Sequence, residues 1–319
     1  MKNLIIRHDW SLEEIGDLFY LPFLKLLYQA LGIHQRCFAL DVVQVSSLLS
    51  IKAGVCPEDC AYCAQSGHHQ RAVKSEGLLG IEQVVVAAKE VKERGGTRFC
   101  MGAAWRSPPE QNFAQILKMI CEVKKLGLET CVSLGMLSKS QAQALKEAGL
   151  DYYNHNLDSS PEYYQKIIST RTYSERLATL ENLSKVGIKI CCGGIIGMGE
   201  SIADRIKLLQ TLANFPQHPH SVPINYFIPM LGTPLANVNS IDPLDFVRVI
   251  AVARILMPRS TIRLAGGRES MSDELQVLCF CVGANSIFCG EKLLTAKNPT
   301  IAKDRQLLQR LGFITNLIC

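Results

Sequence analysis

The strongest constraint on the fold is one alternation that runs through most of the chain. Short strand-like runs take turns with longer segments of helical period. The strands read as 47–51, 97–102, 129–134, 152–157, 188–193, 223–228, 261–265 and 285–289. The helices between them read as 81–94, 110–126, 139–148, 173–186, 202–215, 243–256 and 273–282. Eight strands with seven intervening helices describe an α/β fold, a (β/α)8 TIM-type barrel. Gly95, Gly127, Gly149 and Gly187 stand where helix C-caps belong. Ahead of the first strand, Ser11-x-x-Glu14 forms a capping box, and residues 10–36 read as two helices interrupted by Pro22. The domain reading is an N-terminal helical extension over residues 1–40 and a barrel over 41–319.

The loop after the first strand carries Cys56-Pro-Glu-Asp-Cys60-Ala-Tyr-Cys63. Pro57 and Asp59 keep it out of regular structure. Thiolates this close together can converge on one centre, and soft sulfur selects zinc, copper(I) or iron–sulfur clusters. Structural zinc wants a fourth ligand. His68 and His69 are near, but their spacing matches no familiar zinc module. A cubane [4Fe–4S] cluster on three cysteines keeps one iron open to a small molecule, and this reading ranks ahead of zinc and of surplus reactive thiols. The chain has 13 cysteines, high for a cytosolic enzyme, which points to metal or redox chemistry. An odd local count without a secretory signature argues against a disulfide framework. The first nine residues are too short in their apolar part for a signal peptide, and no long apolar run suggests a membrane span, so a cytoplasmic location is expected. Net charge is +5, with both signs interspersed, which reads as solvated helix faces and not as a nucleic-acid surface.

Side-chain parity within the strands gives a second group. Successive strand residues face opposite ways. Phe99 and Met101 oppose Arg98 and Cys100; Val132 opposes Cys131; Tyr153 opposes Asn154; Ile190 opposes Cys191; Ile224 opposes Asn225; Ile262 opposes Arg263. With the apolar face on the helices, the interior holds Cys100, Cys131, Cys191, Asn154, Asn156, Asn225 and Arg263, where barrels usually hold branched apolar residues. Unpartnered buried polar groups cost roughly 1–3 kcal/mol each, so the interior must hold something that satisfies them. One inward cysteine reads as a small core residue. Three, with Arg263 and no inward carboxylate, point to a metal site. Cys37, Cys121, Cys192, Cys279, Cys281, Cys289 and Cys319 show no partner pattern and read as core or surface thiols. Taken alone, the glycine-rich run 193–200 reads as a strand–helix turn, and Tyr62 as a loop aromatic.

The cysteine spacing, with an aromatic residue before the last cysteine, resembles the signature of the radical S-adenosylmethionine superfamily. That resemblance implies a [4Fe–4S] cluster on Cys56, Cys60 and Cys63 whose open iron chelates S-adenosylmethionine and cleaves it to a 5′-deoxyadenosyl radical. Over roughly residues 10–313 the chain is similar to the biotin synthase family, in the stretches 43–66, 97–105, 151–158, 193–200, 221–225 and 283–288. This likeness implies a sulfurtransferase that turns dethiobiotin into biotin. Its sulfur comes from a [2Fe–2S] cluster on Cys100, Cys131, Cys191 and Arg263. It also implies that Asn156 and Asp158 meet the cofactor ribose and Arg176 its carboxylate, with Tyr62, Gly193, Gly194 and Ile195 on its adenine side. Asn156 and Asn225 meet the ureido ring of the substrate. An external one-electron donor and a homodimer are the implied partners. Cys192 departs from the family, which usually has a small non-thiol residue there. Another radical enzyme lacking the second cluster, and an iron–sulfur electron carrier, are the competing readings.

Overall fold

The barrel strands are β1 (Gln44–Lys52), β2 (Arg98–Ala103), β3 (Glu129–Ser133), β4 (Tyr152–Asn154), β5 (Lys189–Cys191), β6 (Gly194–Ile196), β7 (Ser221–Tyr226), β8 (Thr261–Leu264) and β9 (Ser286–Phe288). They are parallel, in the order β5–β4–β3–β2–β1–β9–β8–β7–β6, and β7 pairs with both β5 and β6, which closes the ring. The computed structural model describes residues 5–70 and 73–314; part of the N-terminal stretch and Cys319 lie outside them. The two short segments β5 and β6 are halves of one staggered strand, so the architecture is the expected eight-stranded (β/α)8 barrel.

That split corrects the single strand read over 188–193, and its cause lies across the ladder. The Cys192 N–H donates to the Ser221 carbonyl at 2.9 Å. In a regular parallel ladder residue 223 then donates back to the Cys192 carbonyl, but Pro223 has no N–H. The neighbouring position must also be glycine. A Cβ on Gly193 would lie 1.9 Å from the Pro223 carbonyl oxygen. Pairing resumes at Gly194 opposite Ile224. Likewise β4 stops at Asn154, short of the expected residue 157. The chain beyond it stays tied to its neighbour through His155 N–H to Cys191 O (2.9 Å) and Leu157 N–H to Gly193 O (3.0 Å).

The helices are α1 (Leu12–Tyr20), α2 (Phe23–Cys37), α3 (Ile81–Glu93), α4 (Glu110–Lys125), α5 (Lys139–Glu147), α6 (Pro161–Ile167), α7 (Tyr173–Lys185), α8 (Ile202–Ala213), α9 (Pro243–Leu256), α10 (Asp273–Cys281) and α11 (Ile301–Arg310). The capping box of α1 forms as read: Glu14 N–H donates to Ser11 Oγ at 3.1 Å, and Ser11 N–H to Glu14 Oε2 at 2.9 Å. α1 packs on α8 and α2 on α9, so both lie outside the barrel wall. Short α6, α11 and a hairpin of β10 (Lys292–Leu293) with β11 (Ala296–Lys297) are additions to the sequence reading. No described helix is long and apolar enough to cross a membrane.

The parity reading of the strands holds. Phe99, Met101, Val132, Tyr153, Ile224 and Ile262 belong to one core shared with the helices. Cys100, Cys131 and Tyr152 form a separate cluster with Leu48 and Phe288. Each large outward side chain contributes roughly 1.5–3 kcal/mol by burial, so the apolar set fixes which face turns inward.

Candidate active site

The loop after β1 folds back on itself. Cys56 N–H donates to Gln65 O and Gly67 N–H to Cys56 O, both at 2.8 Å, and Cys63 N–H donates to Cys60 O at 2.9 Å. The segment after α6 clasps it: Ala61 N–H donates to Ile167 O at 2.8 Å, and the Asp59 carboxylate accepts from the backbone of Ser169 (2.9 Å) and Thr170 (3.2 Å). Buried Glu58 pairs with Arg106 at 3.0 Å. Cys56, Cys60 and Cys63 are free thiols that border one chamber. His69 donates from Nε2 to Cys60 O (2.9 Å) and His68 to Pro57 O (3.0 Å), so both rings brace the loop backbone. Burial pushes the Cys60 thiol up to about 12, against the pull of Arg171, and the Cys63 thiol up to about 11. A metal entering here must therefore displace protons as it binds. Among the described residues no three His, Cys, Asp or Glu side chains close round a single ion. A cluster asks for something else, since each cysteine takes its own iron.

Strand register builds the second group. Cys100 lies opposite Cys131 across β2 and β3, and Asn154 lies opposite Cys191 across β4 and β5. The neighbouring thiols act on one another, so that Cys131 is held up while Cys100 and Cys191 are drawn down toward thiolate. The charge of Arg263 acts on both in the same direction. Arg263 is fully buried. Its Nε donates to Ser286 Oγ (2.8 Å), and its Nη2 to Ser46 Oγ (3.0 Å) and Gln44 Oε1 (3.1 Å). Its Nη1 is buried without a partner. The inward Arg98 sits below, its guanidinium 3.5 Å from the Tyr152 ring centroid and paired with Glu129. Three soft donors beside a guanidinium with an unused nitrogen suit an anionic metal–sulfur group.

The chamber holds about 340 Å³, within the size range of small-molecule sites. Its lining includes the three loop cysteines, Tyr62, Asn154, Asn156, Asp158, Arg176, Ile195 and Asn225. Cys100, Cys131, Cys191 and Arg263 lie behind it. Asn154 joins the two regions: its Nδ2 is 3.3 Å from Cys191 Sγ and 3.2 Å from Asn156 Oδ1. The Tyr62 hydroxyl donates to Asp158 Oδ2 at 2.7 Å, and Arg176 pairs with the same carboxylate. Asn225 donates to Gly194 O (3.0 Å) and accepts from Gly266 N–H (2.9 Å), which leaves one N–H and one lone pair for a ligand. Gly193 and Gly194 do not line the chamber. Their missing side chains answer close approaches by Pro223 O and by Leu208 and Asp158 O. Cys192 is fully buried on the helix side, as its parity required. The structure adds Arg171, Trp105 and the hairpin residues 293–296 to the lining. No periodic signal marks Arg171, which sits in the irregular segment between α6 and α7.

A thiol-bearing loop above a parallel barrel defines a class, and the model of the Radical SAM superfamily matches residues 50–212. The Biotin and Thiamin Synthesis associated domain matches residues 223–314. The chain belongs to the biotin synthase family. It is 57% identical over 312 residues to a biotin synthase of Marinobacter nauticus, covering 98% of this chain and 89% of that protein. It is 60% identical over 306 residues to one of Nitrosococcus oceani, covering 96% and 89%. Relatives this similar favour that family over the electron carrier and the other radical enzymes weighed above. Solved structures share the fold: the FeFe-hydrogenase maturase HydG of Carboxydothermus hydrogenoformans has TM-score 0.82 at 19% identity, covering 95% of this chain and 75% of that one. Methylornithine synthase (PylB) has TM-score 0.80 at 18% identity, covering 96% and 94%.

Proposed function

We propose that this chain converts dethiobiotin to biotin by radical insertion of sulfur, the last step of biotin biosynthesis. The observation that carries the reading is two separate thiol groups, one bordering the chamber at its rim and one buried behind its lining of Leu48, Asn154 and Phe288. Cys56, Cys60 and Cys63 hold a [4Fe–4S] cluster; Cys100, Cys131, Cys191 and Arg263 hold a [2Fe–2S] cluster. Once bound, the first, with S-adenosylmethionine, supplies a 5′-deoxyadenosyl radical, and the second supplies sulfide. Radical chemistry suits target carbons whose C–H bonds no side-chain base can deprotonate.

The chain's own residues bind and orient. Arg176 offers a cation to the methionine carboxylate, while Asp158 offers an acceptor and Asn156, whose Oδ1 already accepts from Asn154 and Gly193 N–H, offers its amide donors to the ribose hydroxyls. Tyr62 and Ile195 border the adenine, and Gly193 and Gly194, behind the lining, let the neighbouring backbone close up against Ile195. Asn156 and Asn225 present amides that complement the donors and acceptors of a ureido ring. Leu48 and Phe288, which line the chamber and pack on Cys100 and Cys131, exclude water from the space between. An external one-electron donor, a homodimer, a cytoplasmic location and an extension–barrel division at residue 40 complete the proposal. The test is an anaerobic assay with dethiobiotin, S-adenosylmethionine and a reductant. Biotin and 5′-deoxyadenosine are the expected products; 5′-deoxyadenosine without biotin would point to a different substrate.

A further inference from the structure

We propose that Arg171 is a positioning residue for the rim cysteines, and that its hydrogen bond to the Cys60 sulfur raises the reduction potential of the cluster held there. The inference rests on the [4Fe–4S] reading above. Arg171 is buried, and its Nη2 lies 3.5 Å from Cys60 Sγ. Its Nε donates to the Tyr164 hydroxyl at 2.9 Å, and Arg176 Nε donates to the same oxygen at 3.0 Å. One phenol therefore holds two buried cations together. The carboxylate of Asp158 goes to Arg176. Among the described residues no carboxylate forms a salt bridge with Arg171; Cys60, Tyr164, Tyr62 and the like charge of Arg176 are its main electrostatic neighbours, and Glu175 also feels its charge.

A buried cation without a counter-ion calls for an anion beside it. The sulfur of Cys60 is the acceptor in reach. The clasp of Asp59 on Ser169 and Thr170 sets that distance, since it ties the cysteine loop to the segment that carries Arg171. Cluster potentials respond to hydrogen bonds at the sulfurs and to local charge. A cationic N–H donor stabilises the electron-richer reduced state, so its removal lowers the potential.

The experiment uses the full chain, reconstituted anaerobically, with Arg171→Met, Arg171→Lys and Tyr164→Phe. Iron and sulfide are counted, and the rim cluster is titrated reductively with electron paramagnetic resonance as the readout. Arg171→Met is expected to lower the ratio of reduced to oxidised cluster about tenfold at the wild-type midpoint, a shift of ~59 mV to more negative potential for one electron. Arg171→Lys keeps the charge and shifts less. Tyr164→Phe frees the guanidinium and shifts the same way. A Met variant that keeps its cluster and titrates as wild type overturns the inference. If the Met variant loses its cluster, wild-type midpoints in the Lys and Phe variants overturn it instead. A wild-type chain that takes up no rim [4Fe–4S] cluster overturns the underlying reading, an outcome distinct from an unshifted potential.

Discussion

Asp158 carries more of the site than any other carboxylate, and a three-member series separates what it does. It is 3% exposed, adopts a left-handed backbone at φ 66°, accepts from Tyr62 and pairs with Arg176, whose side chain is 6% exposed. Removing one partner of a buried pair costs roughly 3–5 kcal/mol, because the other charge stays behind. Left-handed backbone adds ~1–2 kcal/mol for most residues, whereas Asp and Asn are tolerated there. Asp158→Asn keeps the backbone preference and an acceptor for Tyr62 but loses the charge, so it should lose about 3 kcal/mol. Asp158→Ala should lose ~1 kcal/mol more, and Asp158→Gly should fall between them, since glycine relaxes the backbone. Domains are stable by only about 5–15 kcal/mol, so each step is large enough to resolve. Urea unfolding of the metal-free chain under reducing conditions measures it. An Asp158→Asn midpoint equal to wild type would show that the carboxylate does not neutralise Arg176, and the reasoning would fail.

Three further outcomes follow from the geometry. Gly193→Ala should prevent normal closure beside β7, because its Cβ would lie 1.9 Å from Pro223 O; thermal melting with an unchanged Tm would contradict this. Arg268 and Asp304 form a fully buried pair that ties α11 to the turn after β8. Asp304→Ala should cost roughly 3–5 kcal/mol in urea unfolding, while Arg268→Met with Asp304→Leu should be close to neutral. Burial raises the Asp304 carboxyl despite Arg268. Its contribution is therefore full at acid pH and declines as pH rises through the folded value, so the double variant should lose that pH dependence. Cys192→Ala should leave iron and sulfide counts unchanged, because its side chain faces the helices; a fall to the counts of a Cys191→Ala variant would place it among the ligands.

The barrel was legible because its signals are local. Period-two alternation told Cys100 from Met101 and Cys131 from Val132, and the apolar partners then fixed the inward face. The rim loop was legible from spacing. Roles for Arg263, Asn156, Asp158 and Arg176 came from family likeness, since no local pattern encodes a ligand. The break after Cys191 was hidden because its cause, Pro223, lies on another strand. Helix α6 carries Ser160 and Pro161 as start signals, but its seven residues are too few to show a period. The place of Arg171 depends on the clasp between Asp59 and Ser169, a contact 110 positions apart in sequence.

We propose that sulfur comes from the buried thiol group and the radical from the rim. It is tested most directly in a Cys100→Ala/Cys131→Ala/Cys191→Ala variant, reconstituted anaerobically and assayed with dethiobiotin. A retained rim cluster and 5′-deoxyadenosine formation without biotin are the expected result. Biotin formed at the wild-type level would contradict it.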